Sequence, residues 1–413
     1  MVALDAEGKG LGRAKPRKKA ARLWWEVHQW AGLKFSILLS FILLTGTLAT
    51  LSHEIDWLLR PAMRVDPATV GAEVNWAAVA RTAATEAGAG RVISLEGPVD
   101  PWFAAAAILE APDGGLSFVY AHPATGEFQG TGHWVSAQRI LRNMHRHLMM
   151  PIPIGVPIVT SLSFLLAVSL VTSFVVYKKW WRGFLRPIRL NDLRTALGDF
   201  HRLAGLWSLW FVLLMILTGL WYMAEEMAFP APPAPSAKVE PASGSVLALA
   251  ERLGDTVAAA KAANPDLRLE RILFPTEKSG AFVLHGQDDA ILVRSRANAI
   301  WTEAETGQVL LVNDGRDLNL HQRISEAADP LHFGTWGGLA TKLIWFVFGL
   351  ALTGLSVSGV AIYALRLMRA ERRAAGWGPA LAVSWRGMGV WRWPAVILVV
   401  IGFLLIPTVF LQG

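Results

Sequence analysis

The chain has 413 residues, 53% of them hydrophobic and 17% charged, with 19 Trp and a mean hydropathy of +0.37. That balance favours a membrane protein over a large soluble enzyme. The net charge of +7 is carried by Lys and Arg clustered beside apolar runs, so it reads as a topology signal and gives a nucleic-acid role no support. The absence of cysteine excludes disulfides, thiolate metal sites, Cys-ligated iron–sulfur clusters and the C-x-x-C-H attachment of c-type haem.

In chain order, residues 1–27 form a basic segment with Lys9, Arg13, Lys15, Arg17, Lys18, Lys19 and Arg22. A first membrane helix takes 28–53, with its apolar run at 33–51 and no small-residue cleavage pattern after it, so it reads as an uncleaved anchor. Residues 54–150 form an external segment: an Ala-rich helix near Trp76 to Ala87, strand-like runs RVISLEG, FAAAAILEA and LSFVYAH, then a turn at Thr125-Gly126. A second membrane helix covers 151–178, followed by a loop at 179–200; Lys178, Lys179, Arg182, Arg186, Arg189 and Arg194 make this link basic. The third membrane helix takes 201–223.

The second external segment, 224–335, opens on the Pro-rich FPAPPAPSAKVEPASG. A helix near 245–262 follows, then the runs RLERILFP, AFVLHG and AILVRSR and a turn at Thr306-Gly307. The fourth membrane helix takes 336–366, a loop with Arg369, Arg372, Arg373 and Arg386 takes 367–391, and a fifth membrane helix takes 392–413. Each apolar run is long enough to cross a hydrocarbon core of about 30 Å at about 1.5 Å per residue. The excess of Lys and Arg places the three basic segments in the cytoplasm, with the N-terminus inside and the C-terminus outside.

The order helix, external segment, helix occurs twice. HQWAGLKFSILLSFILLTG begins at His28 and HRLAGLWSLWFVLLMILTG at His201, each with 17 positions from His to Thr. The opening histidines are 173 residues apart and the Thr-Gly turns 181, so an internal duplication explains both, with the fifth helix as an appendage. On the other side of the membrane, RNMHRHLMM sets His145 and His147 before the second helix and LHFGTWGG sets His332 before the fourth. Any one of these could be an interfacial polar residue, but all four core helices carry histidine near their entry ends. Neutral imidazole is the commonest protein ligand for metals, and b-type haem needs only axial nitrogens from the protein.

Pairing by depth gives His28 with His201, and His332 with His145 or His147. Two positions on a helix differ by about 200°, so only one of the latter can face a shared site if the segment is helical. His145 is preferred. Gly32 and Gly205, four residues after their histidines, would clear room for a flat ring or simply pack helices. Arg146 and Arg202 are candidates for haem propionates, or for lipid phosphate. His53, beside Glu54, is a third candidate for the outer haem or a metal; His122, His133, His285 and His321 read as ordinary residues of the external segments.

With HQWAGL, LLTG, HEIDWLL, MHRHL, HRLAGLWSL, LTGLWY and LHFGTWGG in place, the chain resembles, over about residues 22 to 368, the PepSY-associated transmembrane helix family. These are membrane proteins found with iron uptake, including siderophore reductases of the bacterial inner membrane. The acidic residue usual before the Thr-Gly turn is replaced around His122-Pro123 in the first copy. The resemblance implies an α-helical integral membrane protein: a four-helix haem-binding bundle with two b-type haems, a fifth helix, and two periplasmic α+β PepSY-like modules. It further implies electrons passing outward to a ferric siderophore or other ferric chelate, with His28, His201, His145 and His332 as iron ligands. There is no G-x-G-x-x-G on a strand-to-helix turn, so the electron donor is expected to be another protein, a quinol or a freely bound reductant. Two rival readings are a histidine-lined proton or metal transporter, weakened by the lack of acidic residues at mid-depth, and a regulatory or binding protein without redox activity.

Overall fold

The computed structural model describes residues 16–242, 244–371 and 376–411. Lys9, Arg13, Lys15, Arg372 and Arg373 of the basic flanks lie outside the described residues. The chain opens with helices α1 (Pro16–Lys34), α2 (Ser36–Thr50), α3 (Ser52–Leu59) and α4 (Trp76–Ala87). Strands β1 (Arg91–Glu96), β2 (Ala105–Glu110), β3 (Leu116–Ala121) and β4 (Phe128–His133) lead to α5 (Ala137–His147). Then come α6 (Ile152–Thr160), α7 (Leu162–Val176), α8 (Leu193–Trp207), α9 (Leu209–Met227) and α10 (Val246–Ala263). Strands β5 (Arg268–Leu273), β6 (Ala281–Gln287), β7 (Asn298–Glu303) and β8 (Val309–Asn313) precede α11 (Leu320–Phe333). Last are α12 (Gly338–Ala370), α13 (Trp377–Met388), α14 (Arg392–Leu405) and α15 (Pro407–Phe410).

Among the described residues four helical stretches are long and apolar enough to cross a membrane, Ile152–Val176, Leu209–Met227, Gly338–Ala370 and Trp377–Phe410, and the bent pair Arg22–Lys34 and Ser36–Thr50, taken as one span, makes a fifth. The protein is a multi-pass membrane protein. It divides into two compact units, one of Met1–Leu44, Thr160–Leu220 and Phe348–Val400, the other of Thr45–Val159, Trp221–Val347 and Ile401–Gly413.

In the first unit α1 packs along α7 and against α13. The single helix expected over 28–53 is broken: α1 and α2 are bent by 66° at Phe35, and Ser52 and His53 already belong to α3. The Ser36 hydroxyl donates to the Leu33 carbonyl at 2.9 Å across this bend. Lys34 then donates to the Gly387 carbonyl of α13 at 2.6 Å. The third helix starts earlier than expected: Asp192 caps α8 by accepting from Thr195 N. His201 therefore sits well inside α8 rather than at its start. Residues 367–391, expected as a loop, contain α13.

In the second unit the two external segments form one antiparallel sheet of eight strands in the order β4-β3-β2-β1-β5-β6-β7-β8. The expectation was three strands per segment in two modules. Each has a fourth after its Thr-Gly turn, and β1 pairs with β5 through Leu95↔Ile272 and Glu96↔Arg271. This pairing hides what would otherwise be two exposed edges. Strand alternation sorts the faces. One row of partners, Leu95, Ile272, Leu284 and Ile300, is fully buried in the core formed with α4 and α10. The next row places Glu96, Arg271 and His285 on the opposite face. The run AILVRSR is not a strand, because Leu292 has φ 54° and the backbone turns there. Arg294 and Arg296 from that run are ion-paired to Glu326 of α11.

The two Thr-Gly turns are built alike. Gly126 N donates to His122 O and Gly307 N to Glu303 O, with φ of 73° and 72° at the glycines. The His122 ring accepts from Ala124 N and Thr125 N, so it fills the place that Glu303 holds in the second copy, where Thr306 donates to the carboxylate. Their surroundings differ: a Cβ on Gly126 would lie 2.6 Å from Ala78 backbone, whereas one on Gly307 meets nothing within 4 Å. Gly307→Ala should therefore cost about 1–2 kcal/mol from φ alone, and Gly126→Ala distinctly more, read by thermal unfolding in detergent. Burial, and then Arg271 and Arg296, push the His285 imidazole down to about 4. A base depressed in the folded state loses stability as pH falls below its unfolded value near 6.5, so acidification from pH 7 to 5 should destabilise His285→Gln less than the parent chain.

Candidate functional site

Four of the histidines singled out in the sequence meet in two pairs, one in each unit. In the first unit His28 of α1 and His201 of α8 have ring centres 6.4 Å apart with planes at 85°. Each ring is fixed by its Nδ1. His28 Nδ1 is 2.9 Å from the Thr172 hydroxyl on α7, and His201 Nδ1 is 3.0 Å from the Ser358 hydroxyl on α12. Gly359 lets the His201 ring lie close, since a Cβ there would be 3.4 Å from Cε1.

A cavity of about 560 Å³ opens around this pair, lined by both histidines and by residues such as Gly32, Leu39, Leu170, Gly205 and Leu352. That volume lies in the range of about 300–1,000 Å³ typical of cofactor and ligand sites. A Cβ on Gly32 would meet nothing within 4 Å and one on Gly205 only Leu355 at 3.7 Å, so both glycines border open space. Arg202 lines the cavity too, but its Nη atoms are spent on Asp199 at 3.0 Å and the Arg186 carbonyl at 2.8 Å. Its Nε is buried without a partner. Hydrogen bonds from the Arg189 side chain and backbone hold the Asp199 carboxyl down at about 2, which keeps it charged for Arg202.

In the second unit His145, in the last turn of α5, faces His332, in the last turn of α11, with ring centres 5.9 Å apart and planes at 37°. Burial, with His145 alongside, pushes His332 down to about 3 and keeps it neutral. Tyr222 stands edge-on to His332 at 5.3 Å and donates to Asp329 at 2.7 Å. The Gly of LLTG has a part here that the sequence did not show: a Cβ on Gly46 would fall 2.5 Å from His145 Cε1. The Gly of the second copy, Gly219, instead faces the Ser163 hydroxyl.

Because MHRHL is helical, His147 points elsewhere. Its Nδ1 is buried with no partner, and its backbone lies against Gly155. Arg146 is exposed. Arg142, one turn before His145 and overlooked in the sequence, has its guanidinium 5.8 Å from the Phe333 ring, next to His332. His53 is exposed on α3, and its neighbour Glu54 is ion-paired to Lys342. His321 stacks on Phe229 at 4.5 Å.

Were the two imidazoles of a pair to hold one metal between them, nitrogens at about 2 Å from it with ring centres about 1 Å further back would bring the ring centres to about 6 Å apart. Separations of 6.4 and 5.9 Å meet that requirement. A pair supplies only two ligands, and among the described residues no group of three or more His, Cys, Asp and Glu is placed to hold a bare ion. The remaining positions would fall to a macrocycle, and beside the first pair the cavity of about 560 Å³ and the open space at Gly32 leave room for a flat ligand.

Gly46→Ala should destabilise the protein by about 1–3 kcal/mol, since the His145 ring must move. Gly32→Ala should be neutral or stabilising by up to about 1 kcal/mol through helix propensity. Thermal unfolding of the two variants checks the contrast.

The family described as PepSY-associated TM region matches residues 25–366. No curated protein matches the chain.

Proposed function

The chain belongs to the PepSY-associated TM family, and from that premise we propose that it is a di-haem b electron carrier of a bacterial inner membrane, reducing a ferric siderophore or other ferric chelate on the periplasmic side. The observation that carries the reading is the pair of histidine pairs at 6.4 and 5.9 Å, the first with both Nδ1 atoms already bonded. His28 and His201 would hold one haem and His145 and His332 the other. A b-type haem supplies a one-electron Fe(III)/Fe(II) couple.

The chain's own residues do the rest. Gly32 and Gly205 leave space beside the first pair, the unpartnered Arg202 Nε offers a donor to a carboxylate, and Gly46 seats His145. Arg142 adds a cation beside the second pair. One electron per ferric chelate converts Fe(III) to Fe(II), which hard oxygen ligands hold less well. The donor would be another protein, a quinol or a freely bound cytoplasmic reductant. The basic flanks support an N-terminus in the cytoplasm.

Protein purified in mild detergent should show a Soret band and a dithionite-induced α-band, and reduced protein should be reoxidised by ferric chelates in stopped flow. His28→Ala and His332→Ala should each remove about half of the haem, one axial nitrogen of one site being lost in each. His147→Ala should remove none. A colourless protein, or full haem content in both alanine variants, overturns the reading.

A further inference from the structure

The hydroxyls beside the first histidine pair do more than fill space. Thr172 Oγ1 lies 2.6 Å from the Val168 carbonyl one turn back, and Ser358 Oγ lies 3.2 Å from the Leu355 carbonyl. A hydroxyl has one proton, and each of these has a carbonyl to receive it. The remaining contact, to the histidine Nδ1, then requires the ring to donate. With the hydroxyl proton on that carbonyl, each ring carries its own proton on Nδ1 and leaves Nε2 bare.

The arrangement is made twice by equivalent residues. His145 and His332 are 187 residues apart; Thr172 and Ser358 are 186 apart, as are Ser169 and Leu355, and Tyr177 and Tyr363. SLVTSFVVY and LSVSGVAIY are thus the same stretch of the duplicated unit, and the Thr172 and Ser358 contacts are one hydrogen bond repeated. Thr172 is 1% and Ser358 3% exposed, so water does not compete for either bond.

We propose that Thr172 and Ser358 are positioning residues that fix His28 and His201 as Nδ1–H tautomers and aim a bare Nε2 from each ring at the metal of a cofactor held between them. The inference rests on the haem reading for its consequence, but the tautomer itself does not depend on haem. A hydroxyl accepting from Nδ1–H makes Nε2 more basic, which favours the ferric state and strengthens ligation.

The test uses the full chain, as purified and dithionite-reduced, with ¹⁵N-labelled histidine. Ring-nitrogen NMR, with signals assigned by loss in His28→Gln and His201→Gln, should show Nδ1 protonated in both rings. Thr172→Val, which keeps the side chain's shape, should release His28 from that state, and Thr172→Ser should restore it. In haem-containing protein Thr172→Val should weaken haem retention at that site 10–100-fold. It should also raise one of two midpoint potentials, about 59 mV for each tenfold loss of ferric preference, with Thr172→Ser reversing both effects. Nε2–H rings in the parent chain, or a Thr172→Ser that behaves like Thr172→Val, overturn the proposal. If the protein is colourless the haem reading fails, while the ring NMR still decides the tautomer.

Discussion

A buried imidazole has two nitrogens and one proton, and the site in the first unit depends on how that proton is placed. Left alone in an apolar bundle, His28 and His201 would each bury an unsatisfied N–H, at a cost of about 1–3 kcal/mol. Thr172 and Ser358 satisfy one nitrogen of each ring at 2.9 and 3.0 Å. The other nitrogen keeps its lone pair, and the two rings stand 6.4 Å apart with a cavity around them. Gly359 follows from the same need, because a Cβ there would lie 3.4 Å from His201 Cε1.

Duplication explains why this is done twice, and the offsets show where the copies diverged. The separation between equivalent residues is 173 at His28 and His201, 181 at the Thr-Gly turns, and 187 at His145 and His332. Extra residues in the second copy fall before the turn, in the longer α10 and in the β6–β7 connection, and after it mostly within α11, where His332 lies four positions further from the helix start than His145 does in α5. Geometry persists through these insertions. The turn even survives a change of residue type, since His122 accepts backbone N–H groups where the second copy has Glu303.

Much of this was legible in sequence because it rests on local rules. The apolar runs, the Thr-Gly turns and five of the six expected strands need only periodicity and turn chemistry, and helicity of MHRHL leaves His145 and His147 on opposite faces. What escaped was non-local. Nothing in RVISLEG or RLERILFP says that β1 and β5 will pair, and AILVRSR alternates like a strand until Leu292 takes a left-handed φ and its arginines bind Glu326. The 66° bend at Phe35 has no proline to announce it. Thr172 and Ser358 left a signal, the shared V-x₅-Y frame at an offset of 186, but hydroxyl residues in an apolar helix attract attention only once their histidine partners are known.

The second unit shows how a soluble-type sheet can set the geometry of a histidine pair. Both α5 and α11 follow a four-stranded half of the sheet, and both are anchored away from the histidines they carry. The buried carboxylate of Asp56 accepts Ala137 N at 2.8 Å and Gln138 N at 3.0 Å, holding the positive end of α5. On α11, Asn319 and Gln322 form a capping box, and Arg294 bonds both Glu326 and Asp329. Asp329 in turn receives Tyr222, whose ring stands against His332. A chain of charged and polar contacts thus runs from the loop before β7 to the ring itself. The two sheet-forming segments act as the frame that fixes where His145 and His332 end.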